Sequence, residues 1–192
     1  MLEDILKKVE QEVKTKCESP DNFFGEGIYY HIVAVVENAV QLAREYGADL
    51  EVVTLAAWLH DYASITDYKL YKEHHIHGAN MAGELLKTLG CASSKVELVQ
   101  KCILNHRGSV AFGKGTMEEI CVADADAISH FDSVPSLLYL AYTKQGYSIQ
   151  EGADFVANKL RRSFNKLSAR SKAFYKEKYD SAMRLFNQAP RD

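Results

Sequence analysis

The sequence predicts an all-α fold, and three observations support this prediction. Only three of the 192 residues are proline, namely Pro20, Pro135 and Pro190, so uninterrupted helices are allowed between the first two. Apolar residues recur at the spacing of an α-helix through most of the chain. No segment shows the alternation of apolar and polar residues that is typical of a half-exposed β-strand. We therefore expect one helical domain over residues 1–192, a bundle of about eight or nine helices.

Three helices are predicted in the N-terminal third. The first, over about residues 1–17, has an apolar stripe at helical spacing and charged residues on its other face. The second has a similar stripe over residues 28–42 and ends at Gly47, because glycine readily adopts the left-handed conformation that ends helices. Asp49 is suited to cap the third helix, which runs to Leu59.

Two further helices are predicted in the middle of the chain. One covers about residues 74–89 and stops at Gly90, again at a glycine that can end a helix. The next runs to about Asn105, and either Ser93 or Ser94 can serve as its N-cap.

The C-terminal helices are predicted mainly from capping signals. Ser or Thr followed three residues later by Glu forms a capping box, in which both side chains pair with free backbone amides. This pattern occurs at Thr116 and Glu119 and again at Ser148 and Glu151. Pro135 lies between them and suits the first turn of a short helix. The predicted helices therefore cover residues 116–128, a short segment from 135, residues 148–160 and residues 169–187.

Composition excludes several classes of protein. A net charge of −3 and a pI near 6.2 argue against a dedicated nucleic-acid binder. No apolar run approaches the roughly 18 residues of a membrane span, and the N-terminus lacks the features of a signal peptide. We therefore expect a cytoplasmic protein with no membrane segment. The four cysteines show no C-x-x-C spacing, so we expect them to be reduced and packed as small hydrophobic residues.

Positive charge is concentrated near the C-terminus. Residues 159–192 contain ten Lys or Arg and three Asp or Glu, a net charge of +7, so residues 1–158 carry −10 of the total of −3. This region could attract an anionic ligand or contact a partner. A solvated helix face explains the same charges, and this second interpretation is favoured.

Acidic residues and histidines stand in strongly apolar surroundings at two places. His60 and Asp61 follow the apolar run 55–59 directly, and Asp124 and Asp126 lie within the apolar segment 122–128. Burial of an ionised carboxylate costs several kcal/mol unless a partner compensates its charge. A divalent cation compensates carboxylates and imidazoles together. The sequence therefore predicts a metal site.

The residues around these positions resemble a known family. His31, the pair His60 and Asp61, and the segment 125–128 (Ala-Asp-Ala-Ile) resemble the H…HD…D signature of the HD-domain metal-dependent phosphohydrolase superfamily. Further similarities are the flank Ala-Ala-x-Leu-His-Asp, a histidine four residues before Gly78, and aliphatic residues leading to a histidine in Cys-Ile-Leu-Asn-His.

The resemblance covers an HD core of about residues 25–130. It implies an all-α fold of HD-domain type, flanked by the N-terminal helix 1–17 and a C-terminal helical extension over 135–189. No Gly-Tyr-Pro signature follows the core, which disfavours the branch of the superfamily that cleaves cyclic dinucleotides.

The resemblance also implies a set of metal ligands, namely His31, His60, Asp61 and Asp126 on one divalent ion. Asp124 is the competing acid, and a role outside the ligand set is favoured for it. Mixed imidazole and carboxylate ligands suit Mn, Fe, Co, Ni or Zn, and Mg is kept as a further candidate.

The number of ions stays open between one and two. His74 and His106 match positions that bind a second metal in dinuclear members and lie near the substrate phosphate in mononuclear members. Asp61 has a second carboxylate oxygen with which it could bridge two ions. His77 shares a helix face with His74 and is a weaker candidate for the second ion.

The resemblance implies hydrolysis of a small phosphorylated metabolite, for which a nucleotide is the first candidate. Asp61, His106 and Arg107 are the candidate catalytic residues, and His74, Arg107 and Lys114 are the candidate substrate-binding residues, since cations bind phosphate. Two alternatives stay open: a dinuclear-iron oxygenase of the same superfamily, and a metal-binding sensor without catalytic activity. Oligomerisation is also left open.

Overall fold

The computed structural model describes residues 2–107 and 115–186 of the chain, and the regular elements in these ranges are all helical. The prediction of an all-α fold is therefore confirmed. The ten α-helices of the described residues are α1 Leu2–Glu18, α2 Gly27–Tyr46, α3 Leu50–Leu59, α4 Tyr62–Thr66, α5 His74–Thr88, α6 Ser93–Asn105, α7 Met117–Asp132, α8 Val134–Tyr139, α9 Ile149–Lys166 and α10 Ala169–Arg184. A 3₁₀ helix (Tyr68–Glu73) precedes α5, and a π-helical turn (Leu140–Lys144) follows α8.

Most of the predicted helix ends are confirmed by their hydrogen bonds. The side chain of Asp49 accepts from two backbone amides in the first turn of α3. Ser148 and Glu151 form a complete capping box at the start of α9. Gly47 ends α2 with a φ of 70°, the left-handed conformation that glycine adopts without strain.

Two of the capping predictions are corrected by the structure. Neither Ser93 nor Ser94 caps α6, because the N-cap is Ala92, whose side chain has no oxygen. Thr116 accepts from the amide of Glu119, but the Glu119 carboxylate accepts from Asn105 and from the amide of residue 115 instead of completing a capping box. That carboxylate therefore ties the start of α7 to the end of α6.

Helix α7 lies at the centre of the bundle. Twelve of its 16 residues are buried, and it packs against α2, α3, α6, α8, α9 and α10. The ends of α3 and α6 and the start of α5 converge beside it, since α3 packs on α6 and α5 packs on α6. This packing brings polar residues from five helices to one end of the core.

None of the described helices is both long enough and apolar enough to cross a membrane. The four cysteines are free, and Cys17, Cys102 and Cys121 are buried as expected.

Candidate metal centre

A first group of three ligand atoms lies in the core between α2, α3 and α7. His31 of α2, His60 at the end of α3 and Asp126 of α7 each offer one atom, and the three atoms lie within 4.8 Å of one another. The Nε2 atoms of His31 and His60 are 3.3 Å apart, and Asp126 Oδ1 is 3.6 Å from His31 Nε2. All three residues are buried.

A second group of three ligand atoms lies directly beside the first. It comprises Asp61, His74 at the start of α5, and His106 at the end of α6. The Nε2 atoms of His74 and His106 are 3.2 Å apart, and Asp61 Oδ1 is 3.3 Å from His74 Nε2. These are the residues that the sequence indicates for a second ion.

The carboxylate of Asp61 stands between the two groups. Its Oδ2 atom lies 3.4 Å from His60 Nε2 and 3.8 Å from His31 Nε2, whereas Oδ1 faces His74. The two oxygens therefore face different groups, which is the arrangement that a bridging carboxylate requires.

Three of the histidines are oriented by the carbonyl of the residue three positions earlier. The Nδ1–carbonyl distances are 2.8 Å for His60, 2.7 Å for His74 and 2.6 Å for His106. A carbonyl oxygen only accepts, so each Nδ1 carries a proton, and in the neutral form of the ring each Nε2 directs a lone pair into its group. Such hydrogen bonds to the outer nitrogen are typical of metal-binding histidines.

The fourth histidine is oriented by a serine. Ser129 Oγ donates to the carbonyl of Asp126 at 2.7 Å, so it accepts from His31 Nδ1 at 3.0 Å. The Nε2 atom of His31 is thereby also left with its lone pair toward the first group.

This donor set fits a divalent metal. Two imidazole lone pairs that face each other at 3.2–3.3 Å repel unless a proton or a cation lies between them. Metal–nitrogen bonds of about 2.0–2.1 Å place neighbouring ligand atoms roughly 3.0–3.4 Å apart. Both imidazole pairs match that separation, and carboxylates complete each group.

Burial and the neighbouring charges shift the pKa values of the residues in both groups. Burial disfavours the charged form of His60, but the Asp61 carboxylate outweighs burial and raises the pKa of His60 to about 9. Burial lowers the pKa of His31 to about 4 and that of His106 to about 3, with the His60 charge adding to the shift. Burial also opposes ionisation of Asp61, yet the neighbouring imidazoles hold its pKa well below its usual range.

The basic residues of α9 face both groups across one cavity of about 500 Å³. Lys159, Arg162 and Lys166 line it at intervals of three and four residues, which places them on one side of the helix. Lys166 Nζ lies 3.3 Å from Asp126 Oδ2. For Lys159 and Lys166, which are partly buried, the favoured interpretation of a solvated helix face is wrong, whereas Arg162 is exposed and also lines the cavity.

His130 also lines this cavity, although the sequence indicates no functional role for it. Its ring stacks on that of His31 with the centroids 5.0 Å apart, and its Nδ1 atom lies 3.0 Å from Ser163 Oγ. The one sequence signal for this position is its spacing of four residues from Asp126, which puts both on one face of α7.

The three other residues that the sequence predicts for the site differ in where they lie. Arg107 lines the cavity, and its guanidinium donates to the carbonyl of Lys72. His77 is outside both groups, since its partly exposed ring lies 3.9 Å from the Glu73 carboxylate. Lys114 lies outside the described residues.

The competing acid Asp124 is buried away from the cavity. Its carboxylate accepts from the backbone amide of Ser168 at 3.0 Å and from the hydroxyl of the same residue. Ser168 is the N-cap of α10, so Asp124 fixes the junction between α9 and α10. This placement agrees with the preference for Asp126 in the ligand set.

Comparison with known proteins gives one family and several relatives. The model of the HD domain family matches residues 28–130. Ribonuclease Y of Rubrobacter xylanophilus is 30% identical over 106 residues, which are 55% of this chain and 19% of that protein. The chain therefore matches about a fifth of the length of this curated relative.

Two further comparisons concern a short segment and the fold. The symmetrical bis(5'-nucleosyl)-tetraphosphatase of Halalkalibacterium halodurans is 49% identical over 39 residues, 20% of this chain and 21% of that protein. The crystal structure of Bacillus subtilis YpgQ, in complex with ADP, superposes with a TM-score of 0.68 at 17% identity. That superposition covers 98% of this chain and 95% of YpgQ.

Proposed function

The chain belongs to the HD-domain family, and we propose that it is a metal-dependent phosphohydrolase acting on a small phosphorylated metabolite, with a nucleotide as the first candidate. One observation carries the proposal: the cationic face of α9 lies across a single cavity from the two metal-ligand groups. Hydrolysis of a phosphate ester needs both features, because cations bind the phosphate oxygens and the metal activates the nucleophile.

The metal is assigned to residues that the chain already orients. His31, His60, Asp61 and Asp126 would hold the first ion, and Asp61, His74 and His106 would hold a second. An ion at such a site lowers the pKa of water and polarises a phosphoryl oxygen. Imidazole nitrogens favour Mn, Fe, Co, Ni or Zn over Mg, which prefers oxygen ligands.

The remaining residues of the cavity bind and orient the phosphate. Arg107, which follows α6, and Lys159 and Arg162 of α9 line the cavity, and their cations suit the oxygens of a phosphate group. The Arg107 guanidinium also donates to the carbonyl of Lys72 in the 3₁₀ helix. Lys166 neutralises Asp126 and keeps that carboxylate ionised as a ligand.

Two relatives support a nucleotide as the substrate class. One of them is named for cleavage of a dinucleoside tetraphosphate, and another was crystallised with ADP. Ribonuclease Y is named for RNA, but the chain matches about a fifth of that protein. The net charge of −3 keeps nucleic acid outside the proposal.

The test is a phosphate-release assay on protein purified without added metal. Metal content is measured first, and nucleotides, other phosphate esters and a short RNA are then assayed with each candidate metal. We expect phosphate release from a nucleotide by the wild type, and loss of activity and of bound metal in Asp61→Ala. Asp154→Ala, which removes an exposed carboxylate of α9, is the matched control and retains both.

Other outcomes of this assay contradict the proposal. Two bound irons with oxygen consumption and no phosphate release indicate the oxygenase. Tightly bound metal without turnover of any substrate indicates the sensor.

A further inference from the structure

A second, smaller cavity of about 150 Å³ opens beside the metal-ligand groups, between α2, α8 and α9. We call it the side cavity. One part of its wall is apolar and is formed by Phe24, Ile28, Tyr71, Leu137, Leu140 and Phe155. Polar and charged residues, among them His31, Asp61 and His130, form the rest. Nothing in the proposed reaction uses the apolar part of the wall, because the phosphate and the metal both occupy the larger cavity.

The side cavity is continuous with the larger one. His31, Asp61, Tyr71, Lys159 and Arg162 line both cavities. A molecule whose phosphate lies against Lys159 and Arg162 therefore directs its other end into the side cavity. The two cavities together fit a substrate with one anionic end and one apolar end.

The walls suit a flat ring. Phe24 and Tyr71 lie with their ring centroids 5.5 Å apart, and Tyr71 stacks on His74 at 5.6 Å. Aromatic walls bind planar groups by offset stacking and edge contacts. The hydroxyl of Ser133, which lines the same cavity, donates to the carbonyl of Ser129 and so offers its lone pairs to an N–H group on the ring edge.

The volume of the side cavity, about 150 Å³, matches a single six-membered ring. An engineered apolar cavity of about 150 Å³ holds benzene, a single six-membered ring. A purine has two fused rings, and the second would extend into the larger cavity beside the phosphate and the metal-ligand groups, whereas a pyrimidine fits within the side cavity. We therefore propose, on the basis of the proposed function, that the side cavity binds the pyrimidine base of a nucleotide whose phosphate lies against α9.

Binding calorimetry tests the proposal without requiring turnover. CMP, UMP, AMP, GMP and inorganic phosphate are titrated into the metal-containing wild-type protein. We expect the pyrimidine nucleotides to bind about tenfold or more tightly than the purine nucleotides, the discrimination typical of a pocket that one group overfills. Inorganic phosphate binds without using the side cavity.

Two variants change the cavity in opposite directions. Leu140→Phe fills it and should weaken CMP and UMP binding about tenfold or more while leaving phosphate binding unchanged. Phe155→Ala enlarges it and should raise the affinity for AMP and GMP.

Two control variants make the same changes at positions that do not line the cavity. They are Leu138→Phe on α8 and Phe164→Ala on α9, and both should leave the preference for pyrimidine nucleotides unchanged. Circular dichroism confirms that each variant is folded.

The outcomes separate this proposal from the proposed function. Equal affinity of the wild type for CMP and AMP, or unchanged CMP binding in folded Leu140→Phe, overturns the assignment of the side cavity. A pyrimidine preference in a protein that releases no phosphate from any ester supports the side cavity and contradicts the proposed function.

Discussion

At the scale of single residues, the ligand geometry is set by helix ends. His60 and His106 are the C-caps of α3 and α6, and His74 follows the 3₁₀ helix. The last carbonyls of a helix have no partner within that helix. Each of these histidines donates to such a carbonyl, so a local feature of the chain directs Nε2 toward the site.

The ligand set was predicted from the resemblance to the family, and this local rule gives a physical reason for two of its histidines. A histidine directly after an apolar helical run has its ring fixed by the preceding turn, as at His60 and His106. His31 differs, because it lies inside α2 and its orientation depends on Ser129, 98 residues further along the chain. The serine therefore could not be predicted from the sequence near His31.

The number of ions can be measured with a double variant. His74→Ala combined with His106→Ala removes two of the three ligands of the second group, and we expect the stoichiometry to fall from two ions per chain to one. Metal titration followed by elemental analysis measures it. The control is His77→Ala, because His77 lies on the same helix but outside both groups. The same stoichiometry in the double variant and the wild type assigns these histidines to substrate binding instead.

At the scale of elements, α9 shows which features of the site can be predicted from the sequence and which cannot. Val156 and Leu160 bury one side of this helix, while Lys159, Arg162 and Lys166 line the cavity. The spacing of the charges shows that they share a face, but it does not show what the face meets. Only the packing of α9 against α7, more than 30 residues earlier in the chain, turns that face toward the metal-ligand groups.

Two short elements were also beyond sequence analysis. Helix α4 has five residues and the 3₁₀ helix has six, which is too short for an apolar period to be recognised. They matter for the site, because they separate His60 and Asp61 from His74 and return the chain to the same cavity. Most of the longer helices, whose stripes extend over several turns, were predicted close to their observed bounds. The exceptions are α7, which ends at Asp132 instead of about residue 128, and α9, which ends at Lys166 instead of about residue 160.

The cationic face of α9 leads to a kinetic prediction. In Arg162→Gln we expect KM for a phosphorylated substrate to rise about tenfold, because a cation that contacts phosphate is removed. The melting temperature should stay close to that of the wild type, since Arg162 is exposed. Arg161→Gln changes the neighbouring residue, which does not line the cavity, and should leave KM unaltered. Equal KM values for the two variants would remove α9 from substrate binding.

At the scale of the whole molecule, the two ligand groups lie inside the core that holds the helices together. Asp61 and Asp126 are carboxylates with five imidazoles around them, counting that of His130, and α2, α3, α5, α6 and α7 all contribute to the groups. A bound cation therefore connects helices from distant parts of the chain. Removal of the cation ends this connection and leaves the facing imidazole nitrogens of each group without a shared partner.

Metal binding should consequently contribute to the stability of the fold. A ligand that binds only the native state at 100 times its Kd adds about 2.7 kcal/mol to the free energy of unfolding. We expect a chelator to lower the melting temperature in calorimetry and added metal to restore it. Asp61→Ala should show no such difference, because it loses the bridging carboxylate. An unchanged melting curve after verified removal of the metal would contradict this coupling.

The central position of α7 also has a consequence for how long an ion stays bound. Asp126 lies in the middle of α7, which is buried along most of its length, and His31 lies more than one turn inside α2, so fraying of a single helix end does not release both ligands. His74 and His106 instead stand at the ends of α5 and α6, where helices open most readily. An ion in the second group can exchange through such end-fraying, whereas an ion in the first must await a wider opening of the core. The protein should thus hold one ion that persists through dialysis and one that is replaced from the surrounding solution.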